Sequence, residues 1–383
     1  MKLSSANIIS KLLPGTASVG LEITDQWVKM VELQAKRSAT PHVRAYGQEP
    51  LPEGAVVEGR VVNVLAVMQA IQAVRQQADI RSRHVHMILP SQHIMVRFLK
   101  LPDIPDHEMK KLIAFELRHN IHLPFEEPYY DFVNLSGTQH GKKLVRAKKK
   151  EDEAAEQGPA AEASPFDLLA QPPEEPQGAE ADVMLVAASM ELIREYKEAA
   201  QAAGCEPVSM EIKALSLYRV LHYTRQVDPE GTLLFVDLND QAADVSIFHR
   251  GKLAITRSLQ VNFHYLRQQP ESEPPDDPLE QLLLGIASLD TGIDNLCAEL
   301  VHELERLMNF YRYTLNNRDQ EFDRILITGD IARFPEVVNE LRGRLNQTVT
   351  VLEARQPIER YSKFDERFAA LAVPYGLALR GRS

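Results

Sequence analysis

Cysteine is scarce in this sequence, which has two in 383 residues. Cys205 and Cys297 lie far apart and match no metal-ligand spacing, so the sequence excludes both a zinc centre and a disulfide framework. A reducing compartment is the simplest environment for such a chain. The sequence also lacks any stretch approaching the about 20 uninterrupted apolar residues of a membrane-spanning helix. Any membrane association is therefore expected to come through a partner.

Positive charge is also in deficit. The chain has 43 Lys and Arg against 54 Asp and Glu, a formal net charge of −11 at pH 7. Such a balance gives no general attraction for nucleic acid or anionic lipid, so a nucleic-acid-binding function is excluded on charge. Histidines cluster between His84 and His122, but none has the helical i, i+4 spacing of a zinc site. We predict no metal site there and expect surface or half-buried histidines.

What the sequence does contain is an α/β pattern long enough for two lobes, because a single core seldom grows beyond about 300 residues. The segment SVGLEI, a polar turn and the segment WVKMVEL predict a β-hairpin from Val19 to Leu33. The same strand, turn, strand order returns from Leu233, with a third strand up to Leu259. The chain therefore repeats one architecture, with helices between and after the strands.

The first strand of each repeat ends in an acidic residue, Glu22 or Asp237, and a later strand ends in Ile-Thr-Gly329-Asp330. This arrangement resembles the phosphate-1, phosphate-2 and adenosine motifs of the superfamily that contains actin, sugar kinases and heat-shock ATPases. The resemblance implies an α/β, actin-like (ribonuclease H-like) two-lobed fold with an inserted IC-type subdomain.

Within that superfamily the sequence resembles PilM, a type IV pilus assembly protein related to FtsA. The middle segment, with HLPFEEPYYDF, separates PilM from FtsA and from sugar kinases better than the nucleotide motifs do. The resemblance spans nearly the whole chain through the segments Val19–Leu33, Leu89–Pro105, Ile113–Phe132, Phe235–Leu259, Ile325–Leu345 and Ala372–Arg380.

Taken with the strand and helix order, the resemblance predicts a domain plan. We expect an N-terminal tail, an inserted subdomain IC with a disordered acidic loop, and two lobes joined by a helix of subdomain IA. The loop is predicted because its Lys, Glu, Ala and Pro composition cannot bury enough apolar surface to offset chain entropy. The predicted ranges are 1–16 for the tail, 17–82 for IA, 83–205 for IC with its loop at about 137–181, 206–230 for the connecting helix of IA, and 231–383 for IIA and IIB with a C-terminal helix returning to IA.

The resemblance implies ATP and Mg²⁺ as candidate cofactors. Nucleotide-using relatives have Asp-x-Gly turns, because glycine lets backbone N–H groups approach the phosphates and the carboxylate positions the metal. Here the turns read Glu-Ile-Thr, Asp-Leu-Asn and Gly-Asp. These departures predict a degenerate site in a non-catalytic or weakly nucleotide-binding scaffold, with no catalytic residue. The residues expected at its edge are Glu22, Thr24, Asp237, Asn239, Gly329 and Asp330.

One basic residue near this site, Lys29, follows the first turn and has the reach to contact an anion. Lysines on strands are commonly exposed, so we expect Lys29 to be solvated.

For partners, the resemblance implies the N-terminal cytoplasmic tail of PilN, together with other pilus platform or motor proteins. It places the chain in the cytoplasm, peripheral to the inner membrane. The partner-facing residues are expected in the segment after the predicted helix Met109–Asn120, at Leu123, Pro124, Phe125, Tyr129 and Tyr130.

Two alternative functions stay open at this point. One is an active ATPase of the same family whose nucleotide state controls PilN binding. The other is an FtsA-like polymerising cytoskeletal protein, which would carry a C-terminal membrane-targeting amphipathic helix. A small-molecule kinase is disfavoured, because the sequence offers no identifiable aspartate base beside intact phosphate loops.

Overall fold

The computed structural model describes residues 17–34, 42–125, 127–136, 180–224, 231–268, 278–318, 320–322, 324–354 and 362–380. The predicted tail at 1–16 and nearly all of the predicted acidic loop at 137–181 lie outside the described residues. The chain divides into two compact units, one made of Met1–Ile94 with Ser189–Ser383 and the other of Met95–Ala188.

The first sheet of the larger unit has the strand order β10-β6-β1-β2-β3. Its strands are β1 (Ser18–Ile23), β2 (Trp27–Gln34), β3 (His42–Pro50), β6 (His84–Ile88) and β10 (Glu206–Glu211). The strands β1, β2 and β3 are antiparallel neighbours, whereas β6 runs parallel to both β1 and β10. Every residue of β1 is buried, so both faces of the sheet are covered at that strand.

The central position of β6 overturns one expectation from the sequence. His86 was expected at the surface or half-buried, but its side chain is buried and its Nδ1 lies 2.7 Å from Ser209 Oγ on β10. In sequence, β6 begins with alternating polar and apolar residues, His-Val-His-Met, a pattern typical of a strand with one exposed face. This pattern gives no sign that β6 lies inside the sheet. Burial lowers the pKa of His86 to about 4.

Helices and a short hairpin complete this half of the larger unit. Asn63 and Ser189 cap the two longer helices by accepting hydrogen bonds from Ala66 N and Leu192 N. The elements are β4 (Val56–Val57), β5 (Arg60–Val61), α1 (Val64–Gln77), α3 (Met190–Ala202) and α4 (Lys213–Thr224).

The second sheet has the order β13-β12-β11-β14-β15, with antiparallel pairing from β13 to β11 and parallel pairing from β11 to β15. It thus repeats the topology of the first sheet. Its strands are β11 (Thr232–Leu238), β12 (Ala243–His249), β13 (Lys252–Leu259), β14 (Arg324–Gly329) and β15 (Val349–Val351). The accompanying helices are α5 (Tyr265–Gln268), α6 (Pro278–Asn309), which continues into a π-helical turn at Phe310–Thr314, and α7 (Phe334–Arg344).

The chain returns to the first sheet through α8 (Ser362–Glu366) and α9 (Phe368–Arg380). The helix α9 packs against β1, β2 and α4, and nearly all its side chains are buried. Its approach to β1 is so close that a Cβ at Gly20 would lie 1.9 Å from the carbonyl oxygen of Pro374. A glycine is therefore required at position 20.

The smaller unit consists of a sheet with the order β7-β9-β8 and one helix. The elements are β7 (Ile94–Pro102), α2 (Asp106–His119), β8 (Pro128–Asn134) and β9 (Glu180–Ser189). Met109 and Ile113 of α2 pack on Ala181, Val183 and Leu185 of β9.

This unit is shorter than the predicted subdomain at 83–205. The difference arises because β6 pairs within the first sheet and α3 packs against α1. Among the described residues, no helix combines the length and the apolar character needed to cross a membrane.

Candidate functional site

The ends of the first hairpin of each sheet carry paired charges. In the β1–β2 hairpin Glu22 lies directly opposite Lys29, and at the equivalent place in the β11–β12 hairpin Asp237 lies opposite Asp244. The first pair therefore joins opposite charges and the second joins like charges. Like charges directly opposite each other destabilise a sheet unless a cation is supplied from elsewhere.

Lys213, the first residue of α4, supplies that cation. Its Nζ lies 2.7 Å from Asp237 Oδ2 and 2.8 Å from Asp244 Oδ2. The same nitrogen is 3.7 Å from Glu22 Oε1, on the first sheet. With 8% of its side chain exposed, Lys213 is a buried bridge between the two hairpins.

Lys29 is a second buried cation at the same hairpin ends. We call the residues joined by these two lysines the charged cluster: Glu22, Lys29, Lys213, Asp237, Asp244 and Asp330. Its Nζ lies 2.8 Å from Asp330 Oδ2 and 3.6 Å from Glu22 Oε2, and 2% of the side chain is exposed. The expectation that Lys29 is solvated is therefore wrong. The strand β2 is buried along nearly its whole length, and the carboxylate that neutralises Lys29 comes from the end of β14.

Polar neighbours satisfy Asp237 further. Thr328, its register partner on β14, donates its Oγ1–H to Asp237 Oδ1 at 2.6 Å. Asn239 Nδ2 donates to Asp237 Oδ2 at 3.1 Å. Both oxygens of this buried carboxylate therefore have partners, as buried charge requires.

The pKa shifts show which groups keep their charge. Burial lowers the pKa of the Lys213 amine, but Asp237, Asp244 and Glu22 raise it well above its usual value. Burial raises the pKa of Asp237, but Lys213, the Thr328 hydroxyl and Lys29 together outweigh that effect, so the net shift is downward. For Glu22 burial prevails and the pKa is raised despite both lysines. Lys213 and Asp237 thus form a persistent ion pair, and Glu22 takes up a proton more readily than an exposed glutamate.

Several backbone amides of the turns have partners within the chain. Thr24 N donates to Trp27 O at 2.9 Å, and Thr24 Oγ1 accepts from Trp27 N at 3.0 Å. In the second turn Asn239 N donates to Ala242 O at 2.9 Å. These N–H groups do not point freely toward a phosphate.

Gly329 allows the close contact between the ends of β14 and β11. Its φ of +136° favours glycine, and a Cβ there would lie 2.2 Å from the carbonyl oxygen of Leu238. This glycine is thus required by the contact between β14 and the end of β11.

A cavity of about 70 Å³ lies above the charged cluster, and four of the predicted edge residues line it: Glu22, Thr24, Asn239 and Asp330. Asp237 and Gly329 do not line the cavity. Small-molecule sites usually measure about 300–1,000 Å³. The described residues also contain no group of three or more His, Cys, Asp or Glu placed to hold a metal ion.

Sequence reasoning missed Lys213 and Asp244. For Asp244 the available signal was its seven-residue separation from Asp237, which equals that of Lys29 from Glu22 in the other hairpin. No such signal marks Lys213.

The predicted partner residues lie in the smaller unit. A cavity of about 260 Å³ is lined by Leu117, Arg118, His119, Ile121, His122, Leu123, Phe125 and Pro128. Of the five predicted residues, Leu123 and Phe125 line the cavity and Pro124 is exposed beside them. Tyr129 and Tyr130 follow in β8 and are half-buried, and Tyr130 packs against the core of this unit.

Comparison with known families adds a second line of argument. A family model described as "Type IV pilus assembly protein PilM" matches residues 20–164. The predicted resemblance to PilM is confirmed. The match begins in β1 and includes the residues that line the cavity of the smaller unit, so it contains the segment on which the PilM resemblance most depends.

Solved structures agree on the fold. A chain of the "PilM-PilN type IV pilus biogenesis complex" is 22% identical with a TM-score of 0.70, covering 97% of this chain and 100% of that chain. The predicted actin-like α/β fold is thus confirmed.

Two weaker structural matches cover as much of the chain. A diol dehydratase-reactivating factor in nucleotide-free form is 10% identical with a TM-score of 0.49, over 95% of this chain and 99% of that chain. The ethanolamine utilization protein EutJ from Carboxydothermus hydrogenoformans is 12% identical with a TM-score of 0.46, over 98% of this chain and 93% of that chain.

Proposed function

We propose that this chain is a PilM-type scaffold of the type IV pilus assembly platform and that it binds the N-terminal cytoplasmic tail of PilN. The observation that carries the proposal is the PilM family match over residues 20–164, which includes the cavity at Leu123 and Phe125. The fold adds support, because the structurally similar chain described above comes from a complex of PilM with PilN.

The chemistry of the cavity suits a short peptide. Leu117, Ile121, Leu123 and Phe125 offer apolar surface, while Arg118 and the neighbouring histidines offer polar contacts. Apolar anchors in a pocket with polar groups around them are the usual basis of peptide affinity. The proposal includes the site of action, which is the cytoplasm at the inner membrane, where the cytoplasmic tail of PilN would be bound.

We propose further that this binding needs no nucleotide. The charged cluster is neutralised by Lys29 and Lys213, the turn amides at Thr24 and Asn239 are engaged within the chain, and the cavity above them is small. The residues present therefore do not fit Mg²⁺ with ATP in this conformation, and we assign the chain no catalytic step. The competing function is an ATPase, favoured by the convergence of Glu22, Asp237 and Asp330 on one charged cluster.

Isothermal titration calorimetry with a synthetic peptide of the cognate PilN tail tests both parts. We expect the peptide to bind the full chain without ATP and Mg²⁺, with the same affinity when they are added. Phe125→Ala should weaken binding by about tenfold or more, because it removes an apolar anchor from the cavity. Tyr313→Ala is the matched control, since Tyr313 is an aromatic residue of the larger unit with 63% exposure.

Each contrary result is informative. Peptide affinity that changes with ATP and Mg²⁺ would replace the nucleotide-independent scaffold by the ATPase. No peptide binding at all, or equal losses in Phe125→Ala and Tyr313→Ala, would refute the assignment of the cavity as the PilN site.

A further inference from the structure

The Lys213 ammonium is surrounded by carboxylates, the ligand type that divalent cations prefer, although among the described residues no three such groups are placed to hold a metal ion. Carboxylates from β11, β12 and β1 surround one nitrogen: Asp237, Asp244 and Glu22. Mg²⁺ in proteins is typically held by one or two carboxylates and several waters. Asp237 and Asp244 both direct a carboxylate oxygen at one position, and the Lys213 ammonium occupies that position.

The distances distinguish the two kinds of cation. The Nζ atom lies 2.7 Å from Asp237 Oδ2 and 2.8 Å from Asp244 Oδ2. Charge-assisted N–H···O hydrogen bonds measure about 2.7–2.9 Å, whereas Mg²⁺ binds oxygen at about 2.0–2.1 Å. The carboxylates are therefore spaced for an ammonium group.

The helix that carries this lysine is itself held in place. Ser216 Oγ donates to the carbonyl oxygen of Val373 at 2.7 Å, and Arg219 Nη1 donates to that of Gly376 at 2.6 Å. Both acceptors belong to α9, which packs on β1 and β2. Lys213 is thus anchored by the first sheet and points its charge at the second.

We propose that the Lys213 ammonium takes the place of a divalent metal between Glu22, Asp237 and Asp244. It thereby joins the two sheets without metal or nucleotide. The inference rests on the nucleotide-independent part of the proposed function. It requires nothing of PilN, so its test uses neither peptide nor nucleotide.

The test compares Mn²⁺ binding by the full-length wild type, Lys213→Ala and the control Lys252→Ala, each freed of metal beforehand. Lys252 is an exposed lysine at the start of β13, so the control makes the same substitution and the same charge change away from the cluster. Mn²⁺ binding is followed by electron paramagnetic resonance, and the midpoint of thermal unfolding is measured with and without Mn²⁺.

We expect Lys213→Ala to bind one Mn²⁺ at least tenfold more tightly than either the wild type or Lys252→Ala, and to unfold at a higher temperature when Mn²⁺ is present. Adding Asp244→Asn to Lys213→Ala should remove most of this gain, because one of the two closest carboxylates is lost.

Two results would overturn the proposal: a folded Lys213→Ala chain that gains no Mn²⁺ affinity, or a wild type that binds Mn²⁺ as tightly as the variant. If Lys213→Ala does not fold by itself, refolding in Mn²⁺ is compared with refolding in K⁺ at equal ionic strength. Folding only in Mn²⁺ supports the proposal, and failure in both solutions overturns it. Loss of PilN binding in any of these variants would bear on the proposed function alone.

Discussion

The two hairpins that form the charged cluster share their strand order and their seven-residue spacing, yet they neutralise charge in different ways. In the β1–β2 hairpin the register pair of Glu22 and Lys29 joins opposite charges. The β11–β12 hairpin places Asp237 opposite Asp244 and depends on Lys213, which belongs to another element. The first hairpin therefore contains a counter-charge for Glu22, although Lys29 lies closer to Asp330 than to Glu22. The two facing carboxylates of the second hairpin take their cation from α4.

Two sheets with the same topology can therefore be stabilised by different charge pairs. A pair within one hairpin forms as soon as the hairpin forms. A pair between a sheet and a distant helix makes the stability of that sheet depend on the packing of the whole unit.

The largest expected effect follows from removing the shared cation. Lys213→Met keeps most of the side-chain volume but leaves the buried Asp237 facing Asp244, which is 11% exposed. Removing one partner of a buried ion pair typically costs about 3–5 kcal/mol of folding free energy. Guanidinium denaturation should show a loss of that size, with Lys252→Met close to wild type. A loss below about 1 kcal/mol would mean that the two hairpins do not differ as described.

A smaller loss is expected from the cation of the first hairpin. Lys29→Met deprives Asp330 of its partner, but Glu22 still has Lys213 nearby and a raised pKa that allows it to take up a proton. We expect a loss of roughly 2–3 kcal/mol, below that of Lys213→Met in the same denaturation assay. The reverse ranking of the two variants would contradict the comparison.

The first sheet also carries a group that senses pH. The pKa of His86 is lowered to about 4 by burial, so the unfolded chain takes up a proton at higher pH than the folded chain does. The contribution of His86 to stability is therefore present above pH 6.5 and is lost as the pH falls toward 4. Between pH 7 and pH 5, wild type should lose about 2 kcal/mol more than His86→Gln.

The matched control for this pH dependence is His84→Gln in the same strand. His84 has 57% of its side chain exposed, so this variant should lose as much folding free energy between pH 7 and pH 5 as the wild type does. Equal losses for His86→Gln and wild type would show that His86 is accessible to protons in the folded chain.

The smallest expected effect is a coupling between two substitutions. Asp244→Asn alone should change stability by about 1 kcal/mol or less, because it removes one ion pair and one like-charge contact together. In the Lys213→Met background the same change should restore about 1 kcal/mol, since it relieves the facing carboxylates. A double-mutant cycle measures this coupling, and simple additivity would argue against the like-charge contact.

The sequence predicts the sheets well because their signals are local. The apolar alternation and polar turns of Val19–Leu33 and of Leu233–Leu259 specify the hairpins, and the structure has both. The acidic strand ends at Glu22 and Asp237 are likewise local, and both residues belong to the cluster that the fold assembles. These features depend on a few neighbouring residues.

The cations of the cluster were not predictable in the same way. Lys29 is buried because Asp330, about 300 residues later, neutralises it, and no short window of sequence contains both. Lys213 stands at a helix start, where nothing in the local sequence indicates three carboxylates. Such pairings arise from tertiary packing, and they explain why the sequence identified Glu22, Asp237 and Asp330 but neither Lys213 nor the burial of Lys29.

The position of Lys213 at the beginning of α4 has a further consequence. The start of a helix carries the positive end of the backbone dipole, where a cation is unfavourable. The isolated segment therefore has little tendency to begin its helix at residue 213, and the carboxylates of the assembled sheets reverse that tendency. At this residue the helix dipole disfavours the cation, whereas the carboxylates of the assembled sheets stabilise it. We therefore expect the first turn of α4 to become ordered only after both sheets have come together, late in the folding of the unit.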